Sequence, residues 1–172
     1  TTADIHGCGA KVPGRATLVT VDYSEGDWFA VPLPDGGYGV GLIARAQPSY
    51  GGVILGYFFG PRLSDPPSLG QLRTLKPADA ALLRLFGHLD IRQGRWPIIG
   101  RFPDWNRDEW RMPPFVRRPS LGPAMLIIRS DTDPSTTVSE AVARDESSLA
   151  DVVPEGLLGS KLAAKLLAKD IV

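Results

Sequence analysis

Apolar residues recur along the chain in short runs broken by Gly and Pro, and most of the runs have strand length. The clearest pattern lies at 27–46, DWFAVPLPDGGYGVGLIARA. Trp28 to Leu33 is an apolar run, Pro34-Asp35-Gly36-Gly37 supplies a turn, and Tyr38 to Ala46 reads as the returning strand. Gly takes a positive φ without a Cβ clash, as tight hairpin turns require, so this segment predicts a β-hairpin. Gly39 and Gly41 would weaken an isolated strand and mark a bulge or a close backbone approach. GVILGYFF at 52–59 is apolar throughout, which predicts a strand central in the sheet.

Pro and Gly place 60–70 in a surface loop, and Leu69 to Leu75 fits a short helix. Ala80 to Phe86 is ambiguous between helix and strand, but Arg84 alternates with Leu83 and Leu85 and a Gly follows, which favours strand. Arg92-Gln93-Gly94-Arg95 reads as a turn and Trp96 to Ile99 as a strand. Prolines at 103, 113, 114, 119 and 123 leave room only for a short edge strand at Phe115 to Arg117. Ala124 to Arg129 predicts a buried strand and Thr137 to Arg144 another. Ser160 to Asp170 is the convincing helix: Leu162, Ala163, Leu166, Leu167 and Ile171 share a face, and Lys161, Lys165 and Lys169 form a solvated stripe. Ser160 is its expected N-cap. Together these elements predict an α+β fold, a twisted and mainly antiparallel sheet or partly open β-barrel of about six strands with the C-terminal helix packed on it.

Composition narrows the function classes. With 172 residues, 43% hydrophobic and 22% charged, the chain fits one ordinary globular domain. Nineteen basic residues balance nineteen acidic ones, which argues against a nucleic-acid or membrane-surface protein driven by charge. The balance is global and not local: residues 87–130 hold eight basic and four acidic side chains, and 131–172 hold four and eight, so the two regions cancel. One cysteine, Cys8, excludes an internal disulfide and fits a reducing compartment. With no run of 18 apolar residues, and no basic start and apolar core in the first ten, the sequence predicts a cytoplasmic protein with no membrane partner.

Common catalytic chemistry finds little footing. Two histidines, His6 and His88, and one cysteine fall short of a zinc site, so no metal or cofactor is expected. The chain carries no GxSxG elbow, GxGxxG turn or GxxxxGK[ST] phosphate loop. His88 and Asp90 could be imagined as a catalytic pair, but without a nucleophile motif a structural histidine at a strand end is the simpler reading. Asp131 and Asp133, in SDTDP, could be paired carboxylates; beside Ser, Thr and Pro they read as turn formers. No catalytic residue is predicted.

The richest constellation is 95–118, RWPIIGRFPDWNRDEWRMPPFVRR, with three of the four tryptophans. Aromatics interleaved with Arg are what grooves for single-stranded nucleic acid use, and a small β-barrel nucleic-acid-binding module is the alternative reading. Asp104, Asp108 and Glu109 interrupt that positive field, and Trp and Arg amid mixed charge suit a protein-recognition surface better. The predicted partner-binding residues are Asp104, Trp105, Arg107, Asp108, Glu109 and Trp110. Trp96 fits an interface or a core anchor equally, whereas the polar, Pro-rich setting of Trp105 and Trp110 predicts exposure.

GDWFAVPLPDGGYGVGLIAR (26–45), GRWPIIGRFP (94–103) and VPEGLLGSKLAAKLL (153–167) resemble the immunity protein 26 family of bacterial polymorphic-toxin systems. The resemblance implies an α+β domain over 26–172, with 1–25 an N-terminal extension outside it. It also implies a function: neutralising a co-encoded toxin by direct protein–protein binding, without catalysis or cofactor. Such toxins are often basic nucleases, which acidic surfaces attract and steer. Asp104, Asp108 and Glu109 would serve, or Asp131, Asp133, Asp145, Glu146 and Asp151.

Overall fold

The structure is a computed structural model and describes residues 20–47, 52–145 and 147–171, so His6, Cys8 and Glu146 lie outside the described residues. The strands are β1 (Trp28–Pro32), β2 (Tyr38–Ala46), β3 (Val53–Leu63), β4 (Leu82–Gly87) and β5 (Ile98–Gly100). After them come β6 (Phe115–Arg117), β7 (Met125–Arg129), β8 (Thr137–Val142), β9 (Val153–Pro154) and β10 (Leu157–Leu158). A single helical turn, α1 (Leu89–Arg92), precedes β5, and α2 (Ser160–Asp170) closes the chain. They make two sheets, not one: six strands in the order β10-β4-β3-β2-β1-β5, and four in the order β8-β7-β6-β9. Among the described residues neither sheet closes into a barrel, and all pairings are antiparallel except β10 with β4 and β9 with β6.

The hairpin forms as predicted, with Gly36 and Gly37 at φ +96° and +74° in its turn. β2 and β3 lack polar alternation because the larger sheet is covered on both faces. On one side Phe29, Ile43, Phe58, Phe86 and Trp96 pack with Ala163, Ala164, Leu167 and Ile171 of α2 and its end. On the other, Trp28, Leu42 and Phe59 pack with Trp110, Phe115 and Ile127. Trp96 is thus a core anchor, stacked on Phe29 at 5.7 Å between ring centroids. Gly39 and Gly41 mark close approaches: a Cβ there would lie 2.4 Å from Leu167 Cδ2 and 2.2 Å from Phe29 Cζ. Substitution at either would need the packed neighbour to move.

Several expectations need correction. Residues 60–63 belong to β3 and not to a loop: Leu63 pairs with Tyr38 while Phe59 pairs with Val40, so Pro61 sits in a bulge where no ladder N–H is required. Leu69–Leu72 is a turn of 3₁₀-helix, shorter than predicted. The strand after Gly94 starts at Ile98 because Trp96 donates its backbone N–H to Asp90 O. β6 is internal, paired with β7 and with the distant β9, a partner that local pattern does not reveal. In β7 only Ile127 is fully buried, and β8 is exposed along most of its length. Gly159, not Ser160, is the N-cap of α2, and the helix buries Ala163, Ala164 and Leu167 while Leu162 is half exposed. No helix of the described residues is long and apolar enough to cross a membrane.

Candidate functional site

The segment 101–114 crosses from β5 to β6 over the face of the larger sheet, and its aromatic and Arg side chains clamp it there. Trp110 is buried, contrary to the exposure its polar neighbours suggest. Its ring meets Trp28, Tyr57 and Phe59 edge-on at 5.8, 5.2 and 6.1 Å, an arrangement aromatic quadrupoles favour. The Tyr57 hydroxyl then donates to the Arg111 carbonyl at 2.8 Å, fixing the chain beyond the ring. Trp105 is half-buried and lies over Gly26, whose φ of +88° and contact with the ring leave no room for a side chain: a Cβ would stand 2.7 Å from Trp105 Cδ2. The Nε1 atoms of Trp28 and Trp105 are both buried, and neither has a hydrogen-bond partner among the described residues.

Arg107 also turns inward. Its Nε donates to Glu25 at 2.7 Å and its Nη1 to Asp131, which in turn accepts from the buried Arg45 Nε at 2.6 Å. Arg45 is 3% exposed and donates further to the Ala44 carbonyl at 2.7 Å. Two carboxylates alternate with two guanidinium groups, which satisfies a charge that burial alone would penalise. Burial pushes the Asp131 carboxyl up, but the bonds and charges of Arg107 and Arg45 outweigh it and hold the group below its usual range. Asp131 is therefore an ion-pair residue and not the turn former read from SDTDP, whereas Asp133 is one: it accepts from Ser135 N at 3.0 Å and from the Ser135 and Thr136 hydroxyls. The one signal for this network in the sequence is Arg45 itself, a lone charge in an apolar strand.

Asp104 pairs with Arg73 at 3.1 Å on the surface, and that bond lowers its carboxyl. Asn106 caps the 3₁₀ turn Arg107–Glu109 by accepting from Asp108 N at 3.1 Å. The turn projects Asp108 and Glu109 into solvent, and neither has an ion-pair partner among the described residues. Beside Asp108 runs an open groove of about 840 Å³ between this segment and β7, lined by Asp108, Arg111, Met112, Leu126, Ile128 and Arg129 among others. Of the six residues predicted to bind a partner, the fold thus gives Trp105, Arg107 and Trp110 to its own scaffold and leaves Asp104, Asp108 and Glu109 at the surface.

Elsewhere the chemistry is structural. Burial, aided by the charge of Arg92, lowers the His88 pKa, and its Nδ1 lies 2.8 Å from the Tyr23 hydroxyl. Asp90 pairs with Arg95, not with His88. Among the described residues no group of three or more His, Cys, Asp or Glu side chains is placed to hold a metal ion. In the smaller sheet Glu155 joins Arg117 and Arg129, and the Arg117 hydrogen bond holds its carboxyl below the ordinary range.

No curated protein and no solved structure matches the chain. A family model described as Immunity protein 26 matches residues 24–124, from the turn before β1 to the residue before β7. The segment 153–167, which carried part of the resemblance, lies outside that match. The matched stretch is more than half of the sequence and holds the hairpin, both large aromatic clusters and the clamped loop; the chain belongs to the immunity protein 26 family.

Proposed function

We propose that this protein acts in the cytoplasm as the immunity partner of a polymorphic toxin encoded beside it, neutralising the toxin by direct binding without catalysis or cofactor. Family membership supports the general role. The observation that carries the surface assignment is the contrast within 104–110. Trp105, Arg107 and Trp110 are spent on holding the loop, so Asp108 and Glu109 stand out on a rigid support. Preorganised carboxylates of this kind lose little entropy on binding and steer a basic partner, such as a nuclease domain, towards the adjoining groove. The nucleic-acid alternative loses ground because both of its stacking rings are already packed, Trp110 fully and Trp105 in part.

The test is a titration of the purified protein with the toxin domain encoded in the adjacent reading frame, alongside the double variant Asp108→Lys/Glu109→Lys. The wild type should form a complex and suppress the toxin activity, and the charge reversal should weaken binding about tenfold or more with little change in Tm. Absence of any complex with the wild type would remove the reading altogether.

A further inference from the structure

Among the described residues four strands bound the two sheets, and three of them offer little to another chain. β5 has three residues, β10 has two, and β9 has two of which one is Pro154. Short edges and prolines are the usual protections against strand addition. β8 has neither: it runs for six residues, TVSEAV, with Glu140 its single charge and one register shift against β7, at Val138. Val138 and Val142 are 65% and 56% exposed, and Ile128 of the neighbouring β7, which also lines the groove beside Asp108, is 39% exposed.

The free backbone groups of this edge can be assigned. Ala143 N donates to Ala124 O at 2.9 Å, and Ala141 and Ser139 face Leu126 and Ile128 in register. Antiparallel ladders alternate, so Glu140 and Val142 direct their N–H and C=O groups away from β7, while Val138 sits unpaired at the register shift between Ser139 and Thr137. We propose that β8 is a strand-addition site for the toxin, taking an extended segment with a basic residue flanked, two positions either side, by apolar ones. The proposal rests on the reading of the protein as a toxin binder. Val138 and Val142 supply the apolar neighbours of such a segment, and Glu140 supplies the acid between them, held at 3.2 Å by Arg117. A second copy of this chain fits less well. The register that pairs Val138 with Val142 of the second copy sets the two Glu140 side chains directly opposite, and like charges so placed repel.

The experiment measures the affinity of the same adjacent-frame toxin domain for wild type, Glu140→Pro and Val138→Lys. Proline at 140 removes an outward N–H and leaves the bonds to β7 in place, and Val138→Lys introduces a charge that edge strands use against pairing. Each should weaken binding about tenfold or more, with the free protein folded and monomeric in every case. Wild-type affinity in both variants would overturn the strand-addition site while leaving toxin binding intact; a wild-type dimer that Glu140→Pro dissociates would overturn it in favour of self-pairing. Failure of the wild type to bind is a different result, which sinks the immunity reading itself.

Discussion

The two sheets put similar strand chemistry to opposite use. The larger one is buried on both faces, by α2 on one side and the clamped loop on the other, and its strands carry the fully enclosed Phe29, Phe58, Phe59 and Phe86. In the smaller one Phe115, Val116 and Ile127 are covered, while β8 shows valines to solvent and its outer side pairs with nothing among the described residues. The family match encloses the first sheet's β1–β5 and stops before β7. A protein that works by binding needs both regions: a rigid body that sets geometry, and a surface whose groups are left unsatisfied until a partner arrives.

The contrast predicts where substitutions cost most. Phe58→Ala, at a site packed against Phe29, Phe86 and Trp96, should lose about 3–5 kcal/mol in denaturant unfolding, and Trp110→Ala a similar amount. A Trp110→Ala protein of unchanged stability would break the comparison by returning that ring to the surface. The smaller sheet's internal anchor is next: Glu155→Gln leaves Arg117 and Arg129 with a weaker acceptor and should cost about 1–3 kcal/mol. Because the folded Glu155 carboxyl titrates below its unfolded value, its contribution is complete above roughly pH 4.3 and is lost as pH falls through the lower folded value. The wild-type advantage over Glu155→Gln should therefore shrink in acid unfolding curves below that pH. Smallest of all, Val142→Thr on β8 should change stability by no more than about 0.5 kcal/mol. A loss several times larger would mean that this face is packed and would remove the distinction between the sheets.

The sequence made the larger sheet readable and the smaller one only in pieces. The 28–46 hairpin and the 53–59 strand declare themselves by apolar runs and Gly turns, which are local signals. β9 and β10 have two residues each and exist through parallel pairing with strands far away in the chain, so no window of sequence encodes them. At the candidate site the residue types were legible and their allegiance was not. Trp110 and Arg107 look like interface residues by composition, yet Tyr57 and Phe59 on β3 and Glu25 before β1 claim them. Those partners lie about 50 or 80 positions away, a separation that only the fold brings to contact. Asp108 and Glu109 remain at the surface by the same logic, since no such partner reaches them among the described residues.

The claim that recognition belongs to the clamped loop and the open strand, and scaffolding to the larger sheet, is tested most directly by amide hydrogen exchange on the free protein and on its complex with the toxin domain. The account predicts new protection at 106–114 and at Glu140 and Val142, with Ser139 and Ala141 already slow in the free protein. Protection confined to α2 and the hairpin turn, with β8 exchanging as fast in the complex as outside it, would contradict it.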